Sequence, residues 1–271
     1  MDVLRDILQS KAGEVARLRS RRAELEVAAA ASGPARGFAA ALRAPDRVGV
    51  IAEHKRRSPS EGWMARDSDA AERCCRYETA GAAALSVLTD ERYFGGTIAD
   101  LRAARAACDL PILRKDFTLD PVQIVEARAA GADAVLLIAR ALDDGRLREL
   151  LDAARDAQVD ALVEVHDEGE LARALGAGAA LIGVNSRDLA TFRTDLARVV
   201  ELAARVPESV TLVGESGVAG PDDVDRLGEA GVHAVLVGSL LMRSEDPDEA
   251  LRGLVGRPRR RRADEPAVGA A

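Results

Sequence analysis

From about residue 46 onward, short apolar runs alternate with longer Ala-rich stretches whose apolar residues recur at helical spacing. A short apolar run without polar alternation reads as a strand buried on both faces, and the longer stretches read as amphipathic helices. Four of the runs are introduced by glycine: Gly81-Ala-Ala-Ala-Leu, Gly131-Ala-Asp-Ala-Val, Gly178-Ala-Ala-Leu-Ile and Gly231-Val-His-Ala-Val. Each follows an amphipathic stretch, so the glycine fits the left-handed residue that ends a helix. Val48–Ala52, Leu110–Leu113, Asp160–Val165 and Val210–Val213 supply the other strands, giving eight βα units.

Strands that alternate with helices build a parallel sheet. Eight units favour an α/β fold closed into a single (β/α)8 TIM barrel; an open doubly wound sheet is the alternative. No Gly-rich dinucleotide fingerprint follows the first strand, which weakens that alternative. Ahead of the barrel, Leu4, Ile7, Leu8, Val15, Leu18 and Leu25 recur at helical spacing. Residues 1–45 are therefore expected as an N-terminal helical extension packed on the barrel, with Ala31–Gly37 as connector. The catalytic barrel is expected over 46–256. From Arg257, five arginines followed by Asp, Glu, Pro and Ala read as a solvated, disordered tail over 257–271, whose removal is expected to leave turnover intact. A basic docking segment is the competing reading of that tail.

Composition narrows the partners. Aromatics make up only 3% of the 271 residues, so the core must be built from Val, Leu, Ile and Ala. A net charge of −7 argues against nucleic acid, which needs a basic face. The apolar runs are too short to span a bilayer, and the charged, helical N-terminus is unlike a signal peptide. The three cysteines, Cys74, Cys75 and Cys108, read as reduced thiols of a cytoplasmic protein, packing helices rather than binding zinc. His54 and His233 have no ligand-like spacing, so no metal is expected. The expected partner is a phosphorylated small molecule, bound by a monomer or weak homo-oligomer.

In a barrel, chemistry sits where strands end. The first strand ends in Glu53-His-Lys55, two residues apart and so on one face; taken alone, a rim salt bridge fits equally well. Lys115 shares parity with Leu113, and a partly desolvated lysine there is expected to have a lowered pKa suited to proton donation, although a surface lysine fits too. Glu164 interrupts the apolar run Ala161–Val165 and is hard to explain by packing, because a buried charge needs a partner. His166 reads as a loop histidine that orients neighbours. Asn185 and Arg187 share parity after the sixth strand; they suit orientation of a substrate group, or helix capping and rim contacts. The last two strands end in Gly214-Glu215-Ser216-Gly217 and Gly238-Ser239. Small residues there let backbone N–H groups approach an anion, and the two loops together point to phosphate. Ser58 adds a hydroxyl.

Read in order, these segments resemble indole-3-glycerol phosphate synthase of tryptophan biosynthesis. The resemblance rests on Glu53-His-Lys-Arg-Arg-Ser-Pro-Ser-Glu-Gly, Leu85-Ser-Val-Leu-Thr-Asp, Leu113-Arg-Lys-Asp-Phe, Val163-Glu-Val-His, Val184-Asn-Ser-Arg-Asp-Leu, Gly214-Glu-Ser-Gly and Gly238-Ser-Leu-Leu-Met-Arg. It spans roughly residues 3–255. It implies ring closure of 1-(2-carboxyphenylamino)-1-deoxyribulose 5-phosphate, with loss of carbon dioxide and water and no cofactor or metal. It further implies Lys115 as general acid, Lys55 paired with the substrate carboxylate, Glu164 and Glu53 in the dehydration, and Glu215 as a further polar group. Asn185 and Arg187 would position the anthranilate end; Ser58, Ser216, Gly217, Gly238 and Ser239 would hold the phosphate. The chain departs from the family pattern with Ser186 in the Asn-Ser-Arg segment, with Tyr93, and with Trp63 and Met64, where Trp63 is expected to pack on the N-terminal helix or line the aromatic pocket. Competing readings are a phosphoribosylanthranilate isomerase-like barrel, which leaves the Lys55, Lys115 and Glu164 set unexplained, a non-catalytic scaffold, and the same chemistry on a modified anthranilate.

Overall fold

A computed structural model describes residues 3–187 and 193–261. Eight parallel strands close into a barrel: β1 (Gly49–His54), β2 (Ala84–Leu88), β3 (Ile112–Lys115), β4 (Ala134–Ile138), β5 (Asp160–Val165), β6 (Leu181–Asn185), β7 (Thr211–Glu215) and β8 (Ala234–Val237). Each strand pairs with its sequence neighbours, and β1 closes on β8 through Val50 opposite Val235 and Ala52 opposite Val237. The four glycines of the repeat, Gly81, Gly131, Gly178 and Gly231, all have φ between 79° and 97°, the left-handed geometry that ends a helix. Aspartates open many of the helices. Asp69, Asp90, Asp143 and Asp167 each accept a backbone N–H of the first turn, which satisfies a donor the helix itself leaves open.

Strand parity sorts the core into two shells. Val50, Ala52, Val163 and Val165 face outward under the helices. Ile51, Leu113, Leu162, Leu181, Val213 and Leu236 fill the interior, as the two-residue period of a strand requires. Phe38 and Leu42, both fully buried, join that interior. They belong to or follow the short helix Phe38–Ala41, which is pinned by Ala39 N donating to Asp160 Oδ2 at 2.8 Å. This plugs the end of the barrel where β5 starts and leaves the opposite end for chemistry.

The N-terminal extension is two helices, α1 (Val3–Ser20) and α2 (Arg22–Ala31), followed by that plug. Val15, Leu18 and Leu25 pack on Val122 and Val125 of the helix Pro121–Ala129. Among the described residues, no helix is long and apolar enough to cross a membrane.

The tail differs from its sequence reading. Residues 257–261 run along the barrel and are hydrogen-bonded to it, with Arg259 buried and Pro258, Arg260 and Arg261 exposed. Val48 N donates to Arg257 O at 2.9 Å, Arg259 N to Asp46 O at 2.9 Å and Arg260 N to Gly228 O at 2.9 Å. Arg259 is buried and lies 3.1 Å from Glu208. The segment runs so close to the helix Pro221–Glu229 that a Cβ on Gly228 would collide with Pro258 O. The physical reason is local: the open N–H of Val48 and the C=O of Asp46 need partners, and the incoming chain supplies both. Residues 262–271 of the expected tail lie outside the described residues. Truncation after Gly256 is therefore expected to lower the melting temperature by roughly 5–10 °C, from a few hydrogen bonds of about 1 kcal/mol each. A thermal melt unchanged by that truncation would show that the segment contributes no stability.

Candidate active site

Five strands place small or aliphatic inward residues toward the plug and a polar inward residue toward the open rim. Two residues past Ile51 comes Glu53, past Leu113 comes Lys115, past Leu162 comes Glu164, past Gly183 comes Asn185 and past Val213 comes Glu215. The strands β1, β3 and β7 run two residues beyond their sequence-predicted ends to include these groups. Together with Lys55, Arg187, Ser58 and Ser216 they surround one cavity of about 660 Å³.

Ion pairing organises its floor. Lys115 Nζ donates to Glu215 Oε2 at 2.6 Å and to Glu164 Oε2 at 3.1 Å. Lys55 Nζ lies 3.0 Å from Glu53 Oε1, and Ser86 donates to the other Glu53 oxygen at 3.4 Å. Two glycines make room: a Cβ on Gly183 would collide with Glu215 Oε1, and one on Gly238 with Glu53 Oε1. His166 sits behind Glu164, with Nδ1 3.1 Å from Glu170 Oε2 and Nε2 3.6 Å from Glu164 Oε1, the orienting position expected of it.

Crowding Glu164 and Glu215 around Lys115 drives the pKa values of the two carboxyls apart. Burial alone would raise Glu164, but Lys115 and His166 outweigh it and hold the carboxyl at about 2. Glu215 is pushed up to about 7, by burial first and then by repulsion from Glu164, against the attraction of Lys115. Burial also works against the charge of Lys115, yet Glu215, Glu164 and Glu53 overcome it and hold the ammonium well above the ordinary lysine value. The lowered lysine pKa expected from sequence is thus reversed, because the desolvated mouth supplies counter-charges that the linear sequence does not reveal.

Beside these charges the lining is apolar. Leu88, Phe94, Phe117, Leu136 and Ile138 form it, with the rings of Phe94 and Phe117 6.1 Å apart. Leu4 and Ile7 of α1 complete it, so the N-terminal extension forms part of the site as well as packing on the barrel. A flat aromatic group suits such a wall, and the charged floor suits proton transfer beside it.

The phosphate candidates are only partly gathered. Ser58 and Ser216 line the cavity, whereas Gly217, Gly238 and Ser239 do not. Ser216 and Gly217 both take left-handed backbone, with φ of 65° and 83°, which is uncommon for serine and marks a tightly turned loop. A Cβ on Gly217 would press on Ser186 Oγ and Leu196. Ser239 donates instead to Glu61 Oε2 at 3.0 Å. Arg187 N donates to Asn185 Oδ1 at 3.0 Å, and its guanidinium reaches Ser60 Oγ at 3.1 Å. Asp188 and Leu189 of the same motif lie outside the described residues. Trp63 does not line the cavity: it is 44% exposed, with Arg66 4.5 Å and Arg57 5.6 Å from its ring. Its six-membered ring lies against Gly95, where a Cβ would press on it. Among the described residues, no three His, Cys, Asp or Glu side chains are grouped to hold a metal ion.

Sequence reasoning missed a second charged cluster beneath the apolar wall. Lys11 of α1 is 1% exposed, with Nζ 2.8 Å from Asp116 Oδ1, 2.9 Å from Asp90 Oδ2 and 2.8 Å from Glu14. Asp116 also accepts from Thr89 at 2.5 Å and from Arg114 at 3.2 Å. Burial opposes its charge, but Arg114 and Lys11 prevail and hold the carboxyl at about 2. Asp90 caps the turn that carries Phe94, and Asp116 lies between Lys115 and Phe117. The signal was present: Lys11 falls in the stripe of Leu4, Ile7, Leu8 and Val15, where a helix facing the core should be apolar.

Known proteins resemble the chain over most of its length. The family described as "Indole-3-glycerol phosphate synthase" matches residues 4–254. The chain is 53% identical over 248 residues to indole-3-glycerol phosphate synthase 2 of Streptomyces coelicolor, covering 92% of this chain and 95% of that protein. It is 45% identical over 259 residues to indole-3-glycerol phosphate synthase of Desulfosudis oleivorans, covering 94% and 98%. Among solved structures, 3-hexulose-6-phosphate synthase from Salmonella typhimurium superposes with a TM-score of 0.62 at 15% identity, over 76% of this chain and 96% of that one. That last likeness is one of fold alone.

Proposed function

The chain belongs to the indole-3-glycerol phosphate synthase family, and from that premise we propose how its residues divide the reaction. The activity is that of a carboxy-lyase in tryptophan biosynthesis. It closes the ring of 1-(2-carboxyphenylamino)-1-deoxyribulose 5-phosphate, giving indole-3-glycerol phosphate, carbon dioxide and water. The observation that carries the residue assignment is Lys115 held between Glu164 and Glu215 and facing an apolar wall.

In the first step the ring carbon bearing the carboxylate bonds to the ribulose carbonyl carbon. The carbonyl oxygen takes a proton from Lys115, whose neighbouring carboxylates keep it charged and pointed. The carboxylate then leaves as carbon dioxide, and its bonding electrons restore the aromatic ring. Lys55 pairs with that carboxylate before it leaves. In the last step the new hydroxyl departs as water after protonation by Lys55, which Glu53 orients. Glu164, the carboxylate held most firmly ionised, takes the proton from the adjacent carbon. Groups whose environments push their pKa values apart suit such opposite roles. Asn185 and Arg187 steady the anthranilate end, while Ser58, Ser216, Gly217, Gly238 and Ser239 hold the phosphate from the loops after β1, β7 and β8. Three unpaired cysteines support a cytoplasmic location.

The direct test is to mix purified protein with this substrate and follow indole fluorescence. No rise from folded protein would redirect the search to substituted anthranilates. Glu215 adds a pH signature. Its folded pKa is raised above the unfolded value, so the stability tied to it is fully present below the unfolded pKa and is lost as pH rises through about 7. Glu215→Gln is expected to remove that loss, so its melting temperature should gain on the parent between pH values of about 5 and 8. A difference that stays constant over this range would rule out Glu215 as the strained carboxyl.

A further inference from the structure

Glu61 sits at the tip of the hairpin in which Arg57 pairs with Trp63 and Ser58 with Gly62. From there it engages two of the phosphate candidates, Ser58 of the cavity lining and Ser239 outside it. Its backbone N–H donates to Ser58 Oγ at 3.1 Å, and its Oε2 accepts from Ser239 Oγ at 3.0 Å. The same Oε2 lies 3.5 Å from Arg243 Nη2. A carboxylate thus occupies the loop after β8, bonded to a hydroxyl and facing a guanidinium, the surroundings an anion would choose.

We infer that Glu61 is a tethered stand-in for the substrate's phosphate, which must displace it, and that Arg243 is the cation handed from one to the other. The inference rests on the reading of Ser58 and Ser239 as phosphate ligands. A serine hydroxyl has one proton to donate, so Ser239 cannot donate to Glu61 and to a phosphate oxygen at once. Nor can a carboxylate and a phosphate dianion share one site without strong repulsion in a partly buried setting. Phosphate binding therefore requires the Glu61 side chain to leave. The hairpin holding it also carries Ser58, next to Pro59 and Ser60 of the cavity lining, so the exchange couples phosphate capture to a rearrangement over the mouth. The competent state is then only a fraction of the free enzyme, and apparent affinity falls by that fraction. The same competition speeds loss of the phosphorylated product.

The sign of one measurement separates this role from that of a simple brace. The probe is inorganic phosphate, used as a competitive inhibitor of the full-length enzyme at constant ionic strength. Glu61→Ala is expected to tighten the phosphate inhibition constant by about three- to tenfold, the net worth of a typical hydrogen bond. The KM for substrate should fall with it. Glu61→Gln, which keeps the shape and removes the charge, should move the same way by less, and thermal melts check that both variants fold. Ser239→Ala is run beside them and should weaken phosphate. If Ser239→Ala weakens phosphate while neither Glu61 variant tightens it, the stand-in role is overturned and the phosphate site stands. If Ser239→Ala leaves phosphate affinity unchanged, the phosphate assignment fails and this inference fails with it.

Discussion

Lys115→Ala is expected to reduce turnover by roughly a thousandfold or more, within the range typical of removing a general acid. Lys115 is the amine that contacts both Glu164 and Glu215, and no other lysine stands on their side of the floor: Lys55 is held by Glu53 and Lys11 by the aspartates below the wall. Substrate should still bind, because the proposed phosphate and anthranilate contacts lie on other loops. The loss should therefore fall on kcat, with a far smaller change in the dissociation constant. The variant has a second cost. Without Lys115, Glu164 and Glu215 lie buried without the ammonium that both contact, and both carboxyls should rise in pKa. Stability should consequently drop most at neutral pH and recover as the medium is acidified and those carboxyls protonate. Indole fluorescence under single-turnover conditions, paired with calorimetric binding, separates the two effects. Turnover within about tenfold of the parent would remove Lys115 from the proton-donor role.

The fold was largely legible in the sequence because its rules are local. A glycine after an Ala-rich helix, then an apolar run, recurs often enough to identify the βα unit, and strand parity placed Lys115 with Leu113 and Glu164 with Leu162 on the inner face. The strand ends were less legible. Charge reads as the end of an apolar strand, but here charge is the inward-facing site, so β3 and β7 continue through Lys115 and Glu215. The lysine pKa was misread for a related reason. Its direction depends on three carboxylates from β1, β5 and β7, a conjunction that exists only after closure. The tail failed differently: Arg257–Arg261 looks solvated by composition, yet its backbone fills hydrogen bonds that residues 46 and 48 leave open. Glu61 was overlooked because its role lies in what it blocks.

Lys11→Met is expected to be the most destabilising single change outside the floor. The side chain keeps its length, but the cation between Asp90 and Asp116 is lost from a buried cluster. Removing one member of such a cluster typically costs about 3–5 kcal/mol, which in a chain of this size lowers the melting temperature by roughly 10 °C. The pH dependence follows from Asp116. Its folded pKa is depressed to about 2, so its contribution is present above the unfolded pKa and is lost as pH falls through the folded one. Without Lys11 that pKa should rise, and acid unfolding should begin at higher pH. The functional consequence is equally specific. Lys11 fastens α1 to the segments carrying Phe94 and Phe117, while Leu4 and Ile7 of the same helix face the cavity. Loosening the helix opens the apolar wall without touching the acid or the base, so KM should rise several-fold more than kcat falls. If the melting temperature drops while KM holds, α1 serves stability alone. If KM rises with the melt unchanged, the cluster positions the wall without bearing on the fold. Both changing together is the result that the contacts of Lys11 with Asp116, and of Asp116 with the backbone of Phe117, require.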